Sequence, residues 1–237
     1  RPVSETMQRQ GQLYKVKIDK LPYMYVTEEH PFMTQRGWVS VNSLQSKQDF
    51  VAISKSTISS NEYPILNINN HRTHDRHTKT VVTGTRVTTD IAWLLGIFIA
   101  QGSLSPGGDI RFVIGTHNQK QAERIQTLIY STFDIEARVL EQVDPKRNNK
   151  WFTVRCHSVI LAEYLEAEFG KGFNGKRLPV WLMESPIEIR EAFIRGVADG
   201  DGTKVNAQQT RITLSNEQLI RQLFDMAYEV GYYPNLS

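Results

Sequence analysis

The sequence predicts an α+β protein, and three observations carry that reading. First, an apolar helix pattern with a mid-helix glycine and a terminal glycine occurs twice, at Leu94–Gly102 and again at Ile194–Gly202. Second, each copy is followed by the same run of strand, strand and helix, and an internal repeat of that kind dictates architecture. Third, the N-terminal stretch holds only short, frequently broken strand patterns, which read as a compact all-β unit. With 237 residues, 40% of them hydrophobic, the chain suits one or two ordinary globular domains. A net charge of +3 permits nucleic-acid binding without proving it, since clustering counts for more than the total. The single cysteine, Cys156, excludes an intrachain disulfide framework. No long apolar run or signal peptide is visible, so the expectation is a soluble cytoplasmic protein without a membrane partner.

Taken in order, Gln12–Ile18 alternates as a strand, Leu21–Met24 breaks it, and Tyr25-Val26-Thr27 resumes. Gly37-Trp38-Val39 and Asp49-Phe50-Val51 follow as further short strands. Ser56–Arg86 is polar, and His71, His74 and His77 recur there every third residue. That spacing holds no single helix face and no cysteine accompanies it, so a solvated linker is the better reading than a metal site. Its basic residues could still touch phosphates. The expected boundaries are 1–58 for the first unit, 59–87 for a polar basic linker and 88–237 for the repeat domain.

The first repeat helix runs over Asp90–Gln101, capped by Thr89 or Asp90. Ser103–Ser105 and Arg111–Ile114 read as strands about a loose turn. Gln119–Thr132 places Ala122, Ile125, Leu128 and Ile129 on one helical stripe. Glu136–Leu140 and Trp151–Cys156 are strands, with Asp144–Lys150 a basic loop between them. Val159–Phe169 is a helix that Gly170-Lys171-Gly172 ends. Ser185-Pro186 starts the second repeat helix, with proline at its tolerated first position. Thr203–Gln208, Gln209–Thr213 and the helix Asn216–Val230 then restate the first repeat. Gly96 and Gly196 lie where another helix backbone could pack very close, and Gly202 is a plausible helix stop.

Leu94–Gly102 and Ile194–Gly202, at domain spacing and with matching downstream runs, resemble the two motif copies of the LAGLIDADG homing endonucleases. The resemblance implies pseudo-twofold αββαββα repeats in one chain, a monomeric pseudo-dimer whose strands form a saddle on double-stranded DNA. It implies that the residue before each final glycine, Gln101 and Asp201, is catalytic and reaches Mg²⁺ or another divalent metal. The element Lys176-Arg177-Leu178-Pro179 resembles the one that precedes the second motif helix in intein endonucleases, which adds Lys176 to the expected catalytic residues. Two facing carboxylates hold divalent ions that activate water and neutralise the leaving oxygen. Gln101 departs from that pattern, because a carboxamide carries no charge. An engineered change, natural degeneration and strand-biased cleavage all remain open as explanations. Asp199 reads as a residue that structures the helix pair.

By chemistry, Ser103, Ser105, Arg111, Arg138, Lys204, Gln208 and Arg211 are the expected DNA-reading residues. Lys146 and Arg147, in the basic loop, are either solvated or placed against phosphates. The run Thr27–His30, followed by Pro31 and by the Gly37-Trp38-Val39 and Asp49-Phe50-Val51 patterns, resembles part of an intein (Hint) splicing domain. There His30 would polarise the upstream junction with support from Thr27, which suits an imidazole near neutral pH. The chain opens at Arg1-Pro2 and closes at Asn235-Leu236-Ser237, so neither end supplies a splicing nucleophile or a His-Asn pair. The expectation is therefore a fragment whose partners are the host exteins and the remaining intein segments, together with its DNA target.

Overall fold

The computed structural model describes residues 10–18, 21, 23–53, 60–70, 80–144 and 149–236. The histidine cluster between 71 and 79, and Lys146 and Arg147, lie outside the described residues. Over the rest, helices and small antiparallel sheets combine in an α+β arrangement. The chain divides into two compact units, Arg1–Ser56 with Tyr233–Ser237, and Thr57–Tyr232.

In the first unit β1 (Leu13–Val16) pairs with β2 (Met24–Thr27), and β3 (Pro31–Thr34) with β4 (Gly37–Ser40), both antiparallel. Alternation puts Val26 and Phe32 inside with Val41, and Tyr14, Val16, Ile18, Met24, Leu44 and Val51 pack around them. Arg36 and Asp49 tie the β3–β4 turn to the following loop at 2.6 Å.

The second unit begins with β5 (Ile65–Leu66) and β6 (Thr85–Arg86), which pair with each other. This corrects the reading of 59–87 as a solvated linker. Leu66, Ile68, Val81 and Val87 are each at most 3% exposed and belong to the main core. Four apolar side chains scattered through a polar stretch give no periodic signal, yet each gains by leaving water.

Helix α1 (Thr89–Gln101) is buried from Ile91 to Ile99. A helix apolar on every side belongs in a core. Its cap is Thr88, whose hydroxyl accepts from the Ile91 amide at 3.3 Å, and not Thr89 or Asp90. Asp90 instead sits in the first turn, where the helix dipole favours an acid. From Gly102 the chain enters β7 (Gly102–Ser105) and β8 (Asp109–Gly115), then α2 (Gln119–Phe133), β9 (Ala137–Asp144), β10 (Asn149–His157) and α3 (Val159–Phe169). These strands form one sheet in the order β7-β8-β10-β9. One face carries Ile110, Phe112, Ile114, Val154 and Cys156 into the core with Ala122, Ile125 and Ile129 of α2.

Two single-turn helices, α4 (Gly172–Gly175) and α5 (Val180–Met183), lead to α6 (Ile187–Asp201). Pro186 stands at the N-cap and not inside the first turn. The strands β11 (Gly202–Asn206) and β12 (Gln209–Ile212) and the helix α7 (Glu217–Glu229) follow. The repeat holds down to register. Gly102 faces Phe112 and Ser103 faces Arg111 in the first hairpin; Gly202 faces Ile212 and Thr203 faces Arg211 in the second.

Helices α1 and α6 meet backbone to backbone. A Cβ on Gly96 would stand 2.9 Å from the Val197 nitrogen and 3.0 Å from the Gly196 Cα. One on Gly196 would stand 3.0 Å from the Trp93 carbonyl carbon and 3.1 Å from the Gly96 Cα. The obstruction is reciprocal, so only glycine on both helices admits this approach.

Candidate active site and nucleic-acid face

Close packing brings the C-terminal ends of α1 and α6 together. Gln101 and Asp201, the last residues of their helices, are both half-buried. The Gln101 amide Nε2 donates to Asp201 Oδ1 at 2.5 Å and to the Gly200 carbonyl at 3.0 Å. Both partners are acceptors, which sets the amide's nitrogen, not its oxygen, toward α6. A Cβ on Gly200 would press on the Ala100 Cβ and lie 3.3 Å from Gln101 Cγ, so that glycine keeps the two ends apposed.

Lys176 joins them from the segment between α4 and α5. Its Nζ donates to the carbonyls of Phe98 at 3.0 Å, Ile99 at 2.7 Å and Gly102 at 2.8 Å. The last carbonyls of a helix have no partner within it, and an ammonium with three donors is suited to them. Asn216, the N-cap of α7, braces this segment through the Lys176 carbonyl at 2.7 Å. Burial pushes the Lys176 ammonium down to about 8, against the pull of Asp201. Burial likewise raises the Asp201 carboxyl above its usual range, with Lys176 opposing. The end of α6 is finished differently. Gln121 donates to the Asp199 carbonyl at 3.1 Å, and the Asp199 carboxylate accepts from Trp93 Nε1 at 2.8 Å. Asp199 thus links α6 to α1, as its place in the motif suggests.

The structure therefore brings together Gln101, Asp201 and Lys176. Ser103, Ser105, Arg111 and Arg138 also share one face of the four-stranded sheet, since cross-strand partners lie on the same side. Arg211 stands on the second hairpin opposite Thr203. Two residues depart from the expectation. Lys204 pairs with Thr210 and so points to the face opposite Arg211, because successive strand residues alternate. Gln208 lies in the turn between β11 and β12 and not on a strand. Arg155 is a residue the sequence reading missed. It faces both Arg111 and Arg138. The alternation of Trp151, Thr153, Arg155 and His157 against Phe152, Val154 and Cys156 was the signal that could have found it.

In the first unit His30 is an exposed turn residue tied to Thr27 through the backbone, its amide donating to the Thr27 carbonyl at 3.0 Å. Its ring meets Phe32 edge-on, with centroids 5.1 Å apart.

The donor chemistry tests whether divalent metal fits. Among the described residues no group of three or more His, Cys, Asp and Glu side chains is placed to hold an ion. Asp201 offers the carboxylate oxygen that a hard cation takes, and Gln101 offers its own oxygen only with its amide turned over, out of the hydrogen bonds it makes to Asp201 and Gly200. The site has the anionic donor for one ion at most, and not for the pair that two facing carboxylates hold. Among the described residues no helix is long and apolar enough to cross a membrane.

No family model matches the chain. It is similar to the ATP-dependent DNA helicase Hel308 of Thermococcus kodakarensis, with 32% identity over 52% of this chain and 11% of the relative. It is also similar to the replication factor C small subunit of Methanocaldococcus jannaschii, with 23% identity over 55% of this chain and 8% of the relative. A DNA polymerase of Thermococcus litoralis is 24% identical over 58% of this chain and 8% of that protein. The chain thus spans 11% or less of the length of the curated relatives it matches. Among solved structures it is similar to mesophilic variants of the homing endonuclease I-DmoI, with 19% identity, a TM-score of 0.44 and coverage of 60% of this chain and 77% of that one. It is also similar to the N-terminal LAGLIDADG domain of WhiA, with 15% identity, a TM-score of 0.40 and coverage of 60% and 64%.

Proposed function

We propose that the second unit is a LAGLIDADG endonuclease domain that binds double-stranded DNA and hydrolyses phosphodiesters where α1 and α6 end. The observation that carries this is the conjunction of two hairpins in matched register with two glycine-packed helices that deliver Gln101 and Asp201 to one point. A paired scaffold presents two equivalent strand surfaces to a duplex and leaves the chemistry between them. Ser103, Ser105, Arg111, Arg138 and Arg211 are the DNA-reading residues of this proposal.

At the helix ends, Asp201 is the carboxylate that takes Mg²⁺, with Gln101 beside it. The bound ion supplies Lewis acidity and an activated water. Lys176 holds positive charge next to the scissile position while fixing the end of α1. Gln101 leaves the site one negative charge short, so hydrolysis is slow. The hydrogen bond from Gln101 to Asp201 specifically favours a second reading, in which the domain binds DNA without cutting both strands. The amide already satisfies the carboxylate that would hold an ion.

The intein context is also a proposal. One chain similar to a helicase, a replication factor C small subunit and a polymerase, each over a tenth or so of its length, suits an element inserted into different hosts. The first unit is then part of a splicing domain with Thr27 and His30 at its junction chemistry. Its exposed Trp38, Phe50 and Tyr25 suit a surface covered by further intein segments.

Duplex binding tests the main proposal. Wild-type protein should shift double-stranded DNA in preference to single-stranded DNA, and the shift should weaken steeply with salt. The double variant Arg138→Glu, Arg211→Glu, at two exposed strand positions, should lose the shift while melting normally. Equal affinity in wild type and variant would remove the saddle from the account.

A further inference from the structure

The four-stranded sheet carries a transverse row on its outer face. Ser103, Arg111, Arg155 and Arg138 stand in one register across β7, β8, β10 and β9. Neighbouring strands lie about 4.8 Å apart, so the three arginine positions span about 10 Å. That matches about three base steps at about 3.4 Å each.

Asp109 organises this row from the adjacent register. It is 5% exposed, yet it accepts from Arg155 Nε at 2.5 Å and pairs with Arg111 Nη2. Burial alone would raise its pKa, but the Arg155 and Arg111 guanidiniums outweigh that and hold the carboxyl below its ordinary value. A buried carboxylate between two half-exposed guanidiniums fixes both side chains. Arg155 gives its Nε to Asp109, and among the described residues its terminal nitrogens make no hydrogen bond within the protein. That leaves both terminal nitrogens for a ligand on a half-exposed side chain anchored at its Nε.

We infer that Arg155, positioned by Asp109, is a specificity-determining residue that reads guanine in the major groove through its two terminal nitrogens. An end-on guanidinium matches the O6 and N7 acceptors of guanine, and no other base offers that pair. The second repeat has no such brace. The residue standing where Asp109 stands is Gln209, which has no charge to hold Arg211. The first repeat is then the stringent half of the reader and the second the permissive half. This inference rests on the proposed DNA binding, and it adds which base is read and by which residue.

The test is selection of duplexes from a random pool at fixed salt by wild type, Arg155→Ala, Arg155→Lys, Asp109→Asn and the control Arg221→Ala, followed by sequencing. Wild type should select a fixed guanine, and Arg155→Ala should reduce its enrichment by about tenfold or more while the other positions persist. Arg155→Lys keeps the charge but not the fork, so it should bind random duplex nearly as well and lose the same guanine. Asp109→Asn should weaken that guanine partly, and Arg221→Ala should leave the whole profile unchanged. An unchanged profile with Arg155→Lys would assign Arg155 to a phosphate and overturn the inference. So would wild-type binding without any guanine preference. Failure of wild type to bind any duplex would overturn the DNA-binding proposal itself, and this inference with it.

Discussion

Lys176 and Gln101 show how a single side chain sets the properties of the helix ends. The Lys176 ammonium is pushed from 10.5 down to about 8 by burial. Between about pH 8 and 10.5 the unfolded chain therefore holds a proton that the folded chain does not. The penalty of burying the charge is complete below pH 8, and stability rises with pH through that window. Urea unfolding of wild type and Lys176→Met should show a free-energy difference that shifts in favour of wild type from pH 8 to 10.5. A difference flat in pH would mean that Lys176 keeps its ordinary pKa in the fold and stays charged through that window. Gln101→Glu makes the opposite point. It sets a carboxylate against the Gly200 carbonyl and Asp201, so metal-free protein should lose about 1–3 kcal/mol. Mg²⁺ should then restore the melting temperature by binding the folded form, with a smaller gain for wild type. A melting temperature of Gln101→Glu indifferent to Mg²⁺ would contradict an ion site there.

At the scale of elements, the repeat helices were legible because their signals are local: an apolar run, a mid-helix glycine, and a glycine where the chain turns into a strand. Gly96 and Gly196 could be paired from sequence alone, and the structure adds that each meets the other's backbone. Gly96→Ala and Gly196→Ala should each cost about 3 kcal/mol or more by forcing the helices apart. Gly175→Ala, with nothing within 4 Å of its new Cβ, should change stability by about 0.5 kcal/mol or less. Denaturant midpoints of the three variants check this, and equal midpoints would mean that α1 and α6 do not pack through glycine. Other features were not legible, for physical reasons. The flanks of the polar stretch 59–87 enter the core through isolated residues such as Ile68 and Val81, without a period to detect. The face of Lys204 depends on strand register, and a one-residue difference reverses it. Arg155 needed its cross-strand neighbours, far away in sequence, to be seen as part of a row.

For the whole molecule, the proposed DNA binding would rest on Arg111, Arg138, Arg155 and Arg211 on strand faces more than on the net charge of +3. Arg138→Ala should lower the slope of log affinity against log salt by about one if it neutralises a phosphate. Titrations at several salt concentrations give that slope directly. The central claim is that Gln101 and Asp201 form one hydrolytic site between the repeats, and it is tested most directly by cleavage of a supercoiled plasmid carrying a duplex selected by binding. Wild type, Gln101→Glu and Asp201→Asn are compared over time with Mg²⁺, reading nicked and linear product. The account predicts slow nicking by wild type, a strong rise in linear product with Gln101→Glu, and none with Asp201→Asn, all three binding the duplex alike. A rate for Gln101→Glu no different from wild type, with binding intact, would contradict it.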